Sequence, residues 1–157
     1  MDTVMAAQEN VTLVRSLLDL YNNRQSDPAW LDKSMAAFAA DAETFDVPSG
    51  AILRGPDGYK RLMLFFVESF PDMRVEVTNV FATEDQVNLE CTLRWNDIGP
   101  LYLSSGALPG MRRSGELRCC FVYHIRNGKI VSLHSYDDMM TMMEQLGLVP
   151  ATGQTKE

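Results

Sequence analysis

The chain has 157 residues, enough for one domain to bury a core without disulfides. Fourteen Lys and Arg against 21 Asp and Glu leave a net charge of −7, which argues against binding by charge to nucleic acid or an anionic membrane. The three cysteines are odd in number and two are adjacent, so reduced thiols in a cytoplasmic protein are expected rather than a disulfide framework.

In chain order, Val11, Val14, Leu17, Leu18 and Tyr21 recur at three- and four-residue steps, which predicts an amphipathic helix over 3–24. The acidic N-terminus lacks the pattern of a secretory leader, and no apolar run approaches a membrane span. A second helix is expected after Asp27 and Pro28, with Trp30, Leu31, Met35 and Phe38 as its stripe. Glu43–Val47 alternates like a short strand. A third helix opens at Pro56, with Tyr59, Leu62, Met63 and Phe66 inward.

The period then changes to two. Val75, Val77 and Val80 mark one strand, and Val87, Leu89, Cys91, Leu93 and Trp95 a second. Turn residues over 97–112 predict a loop or flap. Residues 115–136 form a hairpin around Arg126-Asn127-Gly128, and a last short helix begins near Met139. We therefore expect an α+β fold: a cone-shaped, curved antiparallel sheet with three N-terminal helices enclosing a cavity. One domain spans 1–150, and 151–157 is expected to be a flexible tail.

A three-residue hairpin loop would pair Ile125 with Lys129, Tyr123 with Val131, Phe121 with Leu133, Cys119 with Ser135 and Leu117 with Asp137. Those residues share one apolar face. Arg118, Cys120, Val122, His124, Ile130, Ser132, His134 and Tyr136 fall on the other, as solvent or dimer surface. On the apolar face Asp137 would be held above the usual carboxylate range and could exchange protons near neutrality. The plainer alternative is a strand-end carboxylate reaching water. Asp138 precedes the helix and suits its cap. The register places His124 and His134 well apart, and no ligand spacing suggests a metal.

The stretches "VTLVRSLLDLYNNR", "LRGPDGYKRLM", "FPDMRVEV", "HIRNGKIVSLHSYDD" and "DMMTMMEQLGLVP" resemble, in order, the SnoaL-like polyketide cyclases of the nuclear transport factor 2-like superfamily. The resemblance covers about residues 8–150. It implies the cone fold, usually a homodimer, and ring closure by an aldol reaction without metal or organic cofactor. It places the family's last-strand aspartate at Ser135 and its assisting histidine at Phe121, both different residue types here. The epoxide hydrolases of the superfamily would put an Arg/Asp pair near Arg94 and Asn96, and water-positioning residues near Thr44 and Asp46.

The expected catalytic groups are therefore Asp137, Asp46 and Ser135. Tyr21, Tyr123, Phe121, Leu62, Phe66, Trp95 and Arg94 are expected to bind substrate. The expected activity is cofactor-free acid/base chemistry, an aldol cyclisation or a related lyase or isomerase step, on a small apolar carbonyl compound. The alternatives are a non-catalytic, dimeric small-molecule-binding module or an epoxide-hydrolase-like activity.

Overall fold

The computed structural model describes residues 2–103 and 106–150, so the expected tail at 151–157 lies outside the described residues. The chain forms α1 (Thr3–Asn22), α2 (Trp30–Met35), β1 (Phe38–Asp46), β2 (Ala51–Arg54) and α3 (Gly55–Ser69). It continues through β3 (Arg74–Ala82), β4 (Gln86–Ile98), β5 (Leu101–Leu103), β6 (Gly106–Leu108), β7 (Met111–Arg126), β8 (Lys129–Asp137) and α4 (Met139–Gln145). The architecture is α+β, with six strands in the order β2-β1-β8-β7-β4-β3. No helix among the described residues is long and apolar enough to cross a membrane.

The sheet is mixed rather than wholly antiparallel, because β1 runs parallel to β8. That pairing closes a long crossover through α3 and the meander, which neighbouring sequence does not reveal. The second helix stops at Met35, and Phe38 instead begins a strand longer than the expected Glu43–Val47. The turn-rich stretch 97–112 is also more ordered in pattern than expected. β4 runs on to Ile98, β7 starts at Met111, and β5 and β6 pair between them.

Local chemistry explains how the helices are seated. Asp2 caps α1 by accepting from the Val4 N–H at 3.2 Å. At the other end Asn22 docks the helix on β3: its amide donates to the Val75 carbonyl at 2.8 Å and accepts from the Val75 N–H at 2.9 Å. The Arg24 guanidinium, buried, donates to the carbonyls of Tyr21, Pro71 and Met73. Leu17, Leu18 and Tyr21 are thereby turned toward the sheet. Between helices and sheet, Val14, Val87, Leu89, Leu117 and Ile130 are almost fully excluded from water, and each buried aliphatic of this size stabilises by about 1.5–3 kcal/mol.

The β7–β8 hairpin corrects the expected register. Asn127 (φ 52°) and Gly128 (φ 71°) are both left-handed, as a two-residue type I′ turn requires, and Arg126 pairs with Lys129. Ile125 pairs with Ile130 and His124 with Ser132, so Val131 is an extra residue at a bulge. Beyond it Tyr123 faces Leu133, Phe121 faces Ser135 and Cys119 faces Asp137, two residues from the expected partners. A slip of two keeps every side chain on its face. Before the bulge the phase differs, and Ile130, expected on the outer face, is fully buried.

Candidate active-site cavity

The inner faces of α1, α3, β3, β4, β7 and β8 surround one apolar chamber. Its envelope encloses about 620 Å³ including the open mouth. Leu62 and Phe66 stand on its wall with Tyr21, Phe121, Tyr123, Ser135 and Asp137.

The polar end is built by strand pairing. Asp46 on β1 lies beside Ser135 on β8, and Ser135 beside Phe121 on β7, so these three form one row across the sheet. Asp137 occupies the next inward position, opposite Cys119. The Ser135 hydroxyl donates to the Asp137 carboxylate at 3.4 Å, a long bond. Burial, reinforced by the nearby negative charge of Asp46, pushes the Asp137 carboxyl up to about 6 against the opposing Ser135 hydrogen bond. Asp46 itself accepts from the Ser49 hydroxyl and stands beside the chamber rather than on its wall.

The neighbouring acid is treated in the opposite way. Asp138 caps α4, accepting from the Thr141 hydroxyl at 2.6 Å and the Thr141 N–H at 3.1 Å. Those bonds, the hydroxyl first, hold its carboxyl below the usual range. Adjacent positions in the chain thus hold a carboxyl suited to taking and returning protons and one fixed as an anion.

Two residues expected at the substrate lie elsewhere. Trp95 is 2% exposed but packs against Phe70 with ring centroids 4.9 Å apart, behind the chamber wall. Arg94, on the opposite face of β4, is exposed and engaged by Glu76 and Glu116. Strand alternation turns Arg94 outward, while Trp95, on the inward face with Leu93, is taken up by its packing on Phe70. Asn96 is held by the Asp72 carboxylate, through both its backbone and side-chain nitrogens. Thr44 is buried next to Leu133, its hydroxyl without a partner among the described residues.

The histidines also differ from the expectation. His124 and His134 are diagonal neighbours with ring centroids 6.5 Å apart, because the bulge moves the register, and His134 meets Phe45 edge-on. Both stand on the outer face. Among the described residues, no group of three His, Cys, Asp or Glu side chains could hold a metal ion. The sequence-derived site set left out Tyr59, Met63 and Leu133, which line the cavity. The helical spacing 59, 62, 63, 66 had already placed the first two inward.

Against known proteins, the family model for the SnoaL-like polyketide cyclases matches residues 11–146. No curated protein matches the chain. Among solved structures, the chain is similar to a candidate SnoaL-like polyketide cyclase from Jannaschia sp. CCS1, with a TM-score of 0.81 and 19% identity over 96% of this chain and 99% of that one. It is also similar to IdmH, a candidate polyketide cyclase from Streptomyces antibioticus, with a TM-score of 0.67 and 23% identity over 87% and 97%. An LEH-like epoxide hydrolase from M. tuberculosis gives a TM-score of 0.66 and 18% identity over 90% and 92%. Identities this low establish the shared fold.

Proposed function

The chain belongs to the SnoaL-like polyketide cyclase family, and from that premise we propose that it is a cofactor-independent acid/base catalyst acting on a small apolar carbonyl compound. The observation that carries this reading is the Asp137 carboxyl, set in an apolar chamber and raised to about 6. Such a group is mostly ionised at neutral pH yet basic enough to remove a proton from carbon next to a carbonyl. The proton moves to Asp137, and the electron pair left on carbon spreads onto the carbonyl oxygen as an enolate. In a cyclisation that carbon attacks a second carbonyl of the same molecule, and Asp137 returns its proton to the new alkoxide. In an isomerase the proton returns to a different carbon.

Ser135 positions the Asp137 carboxylate, and Asp46 tunes it by charge from the adjoining strand. Tyr21, Tyr123, Phe121, Leu62 and Phe66 exclude water and hold the apolar ligand. Arg94 and Trp95 have no part in this scheme. Epoxide hydrolysis gains nothing from Arg94, whose guanidinium is committed to two glutamates outside the cavity. We assign the working form as a homodimer that buries the outer face of the sheet around Phe45, Val122 and Tyr136. A sedimentation experiment finding only monomer at working concentration would remove that element.

The second reading is a binding module without turnover. It is favoured by Ser135 and Phe121, cross-strand partners standing where the family's acid/base pair is expected. The experiment that separates the two screens enolisable ketones for solvent deuterium uptake by mass spectrometry, with wild type and D137N. Acid/base catalysis predicts uptake that D137N slows by roughly 10²- to 10⁴-fold. Uptake equal in the two proteins refutes the mechanism, and ligand bound without any exchange supports the module.

A further inference from the structure

Tyr21 on α1, Tyr59 on α3 and Tyr123 on β7 all stand on the cavity wall, each 4–5% exposed. None of their hydroxyls hydrogen-bonds to a described residue, and that of Tyr21 is sealed from solvent with no partner. The Tyr21 hydroxyl, being sealed, is out of a ligand's reach, whereas those of Tyr59 and Tyr123 are unpaired donors on the cavity wall, and unpaired donors in so apolar a space need an explanation. Packing accounts for the rings: Tyr59 stacks on Phe38 at 4.2 Å, and Tyr123 meets Phe121 edge-on at 6.5 Å. It does not account for the hydroxyls.

Tyr59 lies within electrostatic reach of Tyr123, and burial raises both, so each remains a proton donor. Both are also remote from the acid. Tyr123 is four residues along β7 from Cys119, the partner of Asp137, which is roughly 13 Å of strand. Phe38, under Tyr59, pairs with Ile130 at the far end of β8. The cavity therefore has donors at its deep end and a proton-exchanging carboxyl at the other. Among the described residues no Lys, Arg or His lines it, so nothing there favours an anionic ligand.

We infer that the Tyr59 and Tyr123 hydroxyls form an acceptor-binding subsite at the deep end of the cavity, taking an uncharged oxygen of the ligand, such as a ketone carbonyl, remote from the carbon that reacts at Asp137. The inference deepens the proposed acid/base function by naming its substrate class: small apolar molecules with two separated oxygen functions. One activates the C–H at Asp137, and the tyrosines hold the other.

The test needs no turnover. Acetophenone and ethylbenzene are close in shape and differ by a carbonyl against a methylene. Their binding is titrated by protein NMR shifts in wild type, Y59F, Y123F and D137N. The subsite predicts that wild type binds acetophenone about tenfold tighter than ethylbenzene. It predicts that each Phe variant lowers that ratio roughly two- to tenfold, and that D137N preserves it. Each Phe variant keeps its ring, and a thermal melt verifies folding; should Y123F fail to fold, Y59F decides. A wild-type ratio near one, a ratio that the Phe variants leave intact, or one lost only in D137N overturns the inference. Loss of exchange chemistry in D137N with the ratio retained separates this outcome from failure of the acid/base reading.

Discussion

Replacing Asp137 by Asn removes an ionisable group from the place where ionisation is costly. In the unfolded chain this carboxyl titrates at an ordinary 3.8, and in the native cavity at about 6. Between those pH values the folded protein holds a proton that the unfolded chain has released. Stability therefore falls as pH rises through the window, and the loss is complete above about 6. Below 3.8 both states are protonated and the effect vanishes. At 1.36 kcal/mol for each pH unit, the difference corresponds to ~3 kcal/mol. Asn is nearly the same size and carries no charge. D137N is thus expected to be up to ~3 kcal/mol more stable than wild type at pH 7.5, a gain of roughly 6–12 °C in Tm for a protein of this size. The gain should shrink to nothing near pH 4, while catalysis is lost. Urea unfolding of both proteins at half-unit steps from pH 4 to 8 measures it, and titrations elsewhere cancel in the difference. A stability difference that is flat with pH, or D137N less stable at pH 7.5, would refute the placement of this carboxyl in a dry site.

Four further substitutions probe neighbouring parts of the account. D46N removes the charge that helps raise Asp137, so the acid limb of the exchange-rate profile should move to lower pH; an unchanged limb would mean that the two carboxylates do not interact. D138A deletes the cap of α4 and should lower stability by about 0.5–2 kcal/mol with exchange activity retained; activity loss on the scale of D137N would show that the two acids are not divided as described. G115A would place a methyl 2.2 Å from the Trp95 ring, a clash that should cost about 1–3 kcal/mol in chemical unfolding and shift the tryptophan emission. R94A should leave activity and ligand affinity at wild-type values, because its partners are Glu76 and Glu116 on the outer face; a tenfold fall would return Arg94 to the site.

Asp137 was legible in the sequence because face assignment depends on the parity of the register and tolerates an even error. The three-residue loop expected at Arg126-Asn127-Gly128 is a two-residue turn followed by a bulge, and the resulting slip of two left Tyr123, Phe121 and Asp137 on the inward side. The same bulge turned Ile130 inward and brought the histidines together, which no local pattern announces. The parallel contact of β1 with β8 is non-local, so the position of Asp46 beside Ser135 was out of reach of periodicity. Prolines and glycines over 97–112 signalled turns correctly but concealed the extension of β4 and β7 and the short β5–β6 pair. Helical spacing marked Tyr59 as inward, whereas its proximity to Tyr21 and Tyr123 needed the tertiary structure.

The acid/base reading of the cavity depends on one titration. Carbonyl-carbon NMR of protein labelled at the aspartate side chains, with the Asp137 signal identified by its absence in D137N, follows that carboxyl directly from pH 3 to 9. The account predicts a midpoint near 6 that falls in D46N. A midpoint near 4 that ignores the Asp46 substitution would contradict it.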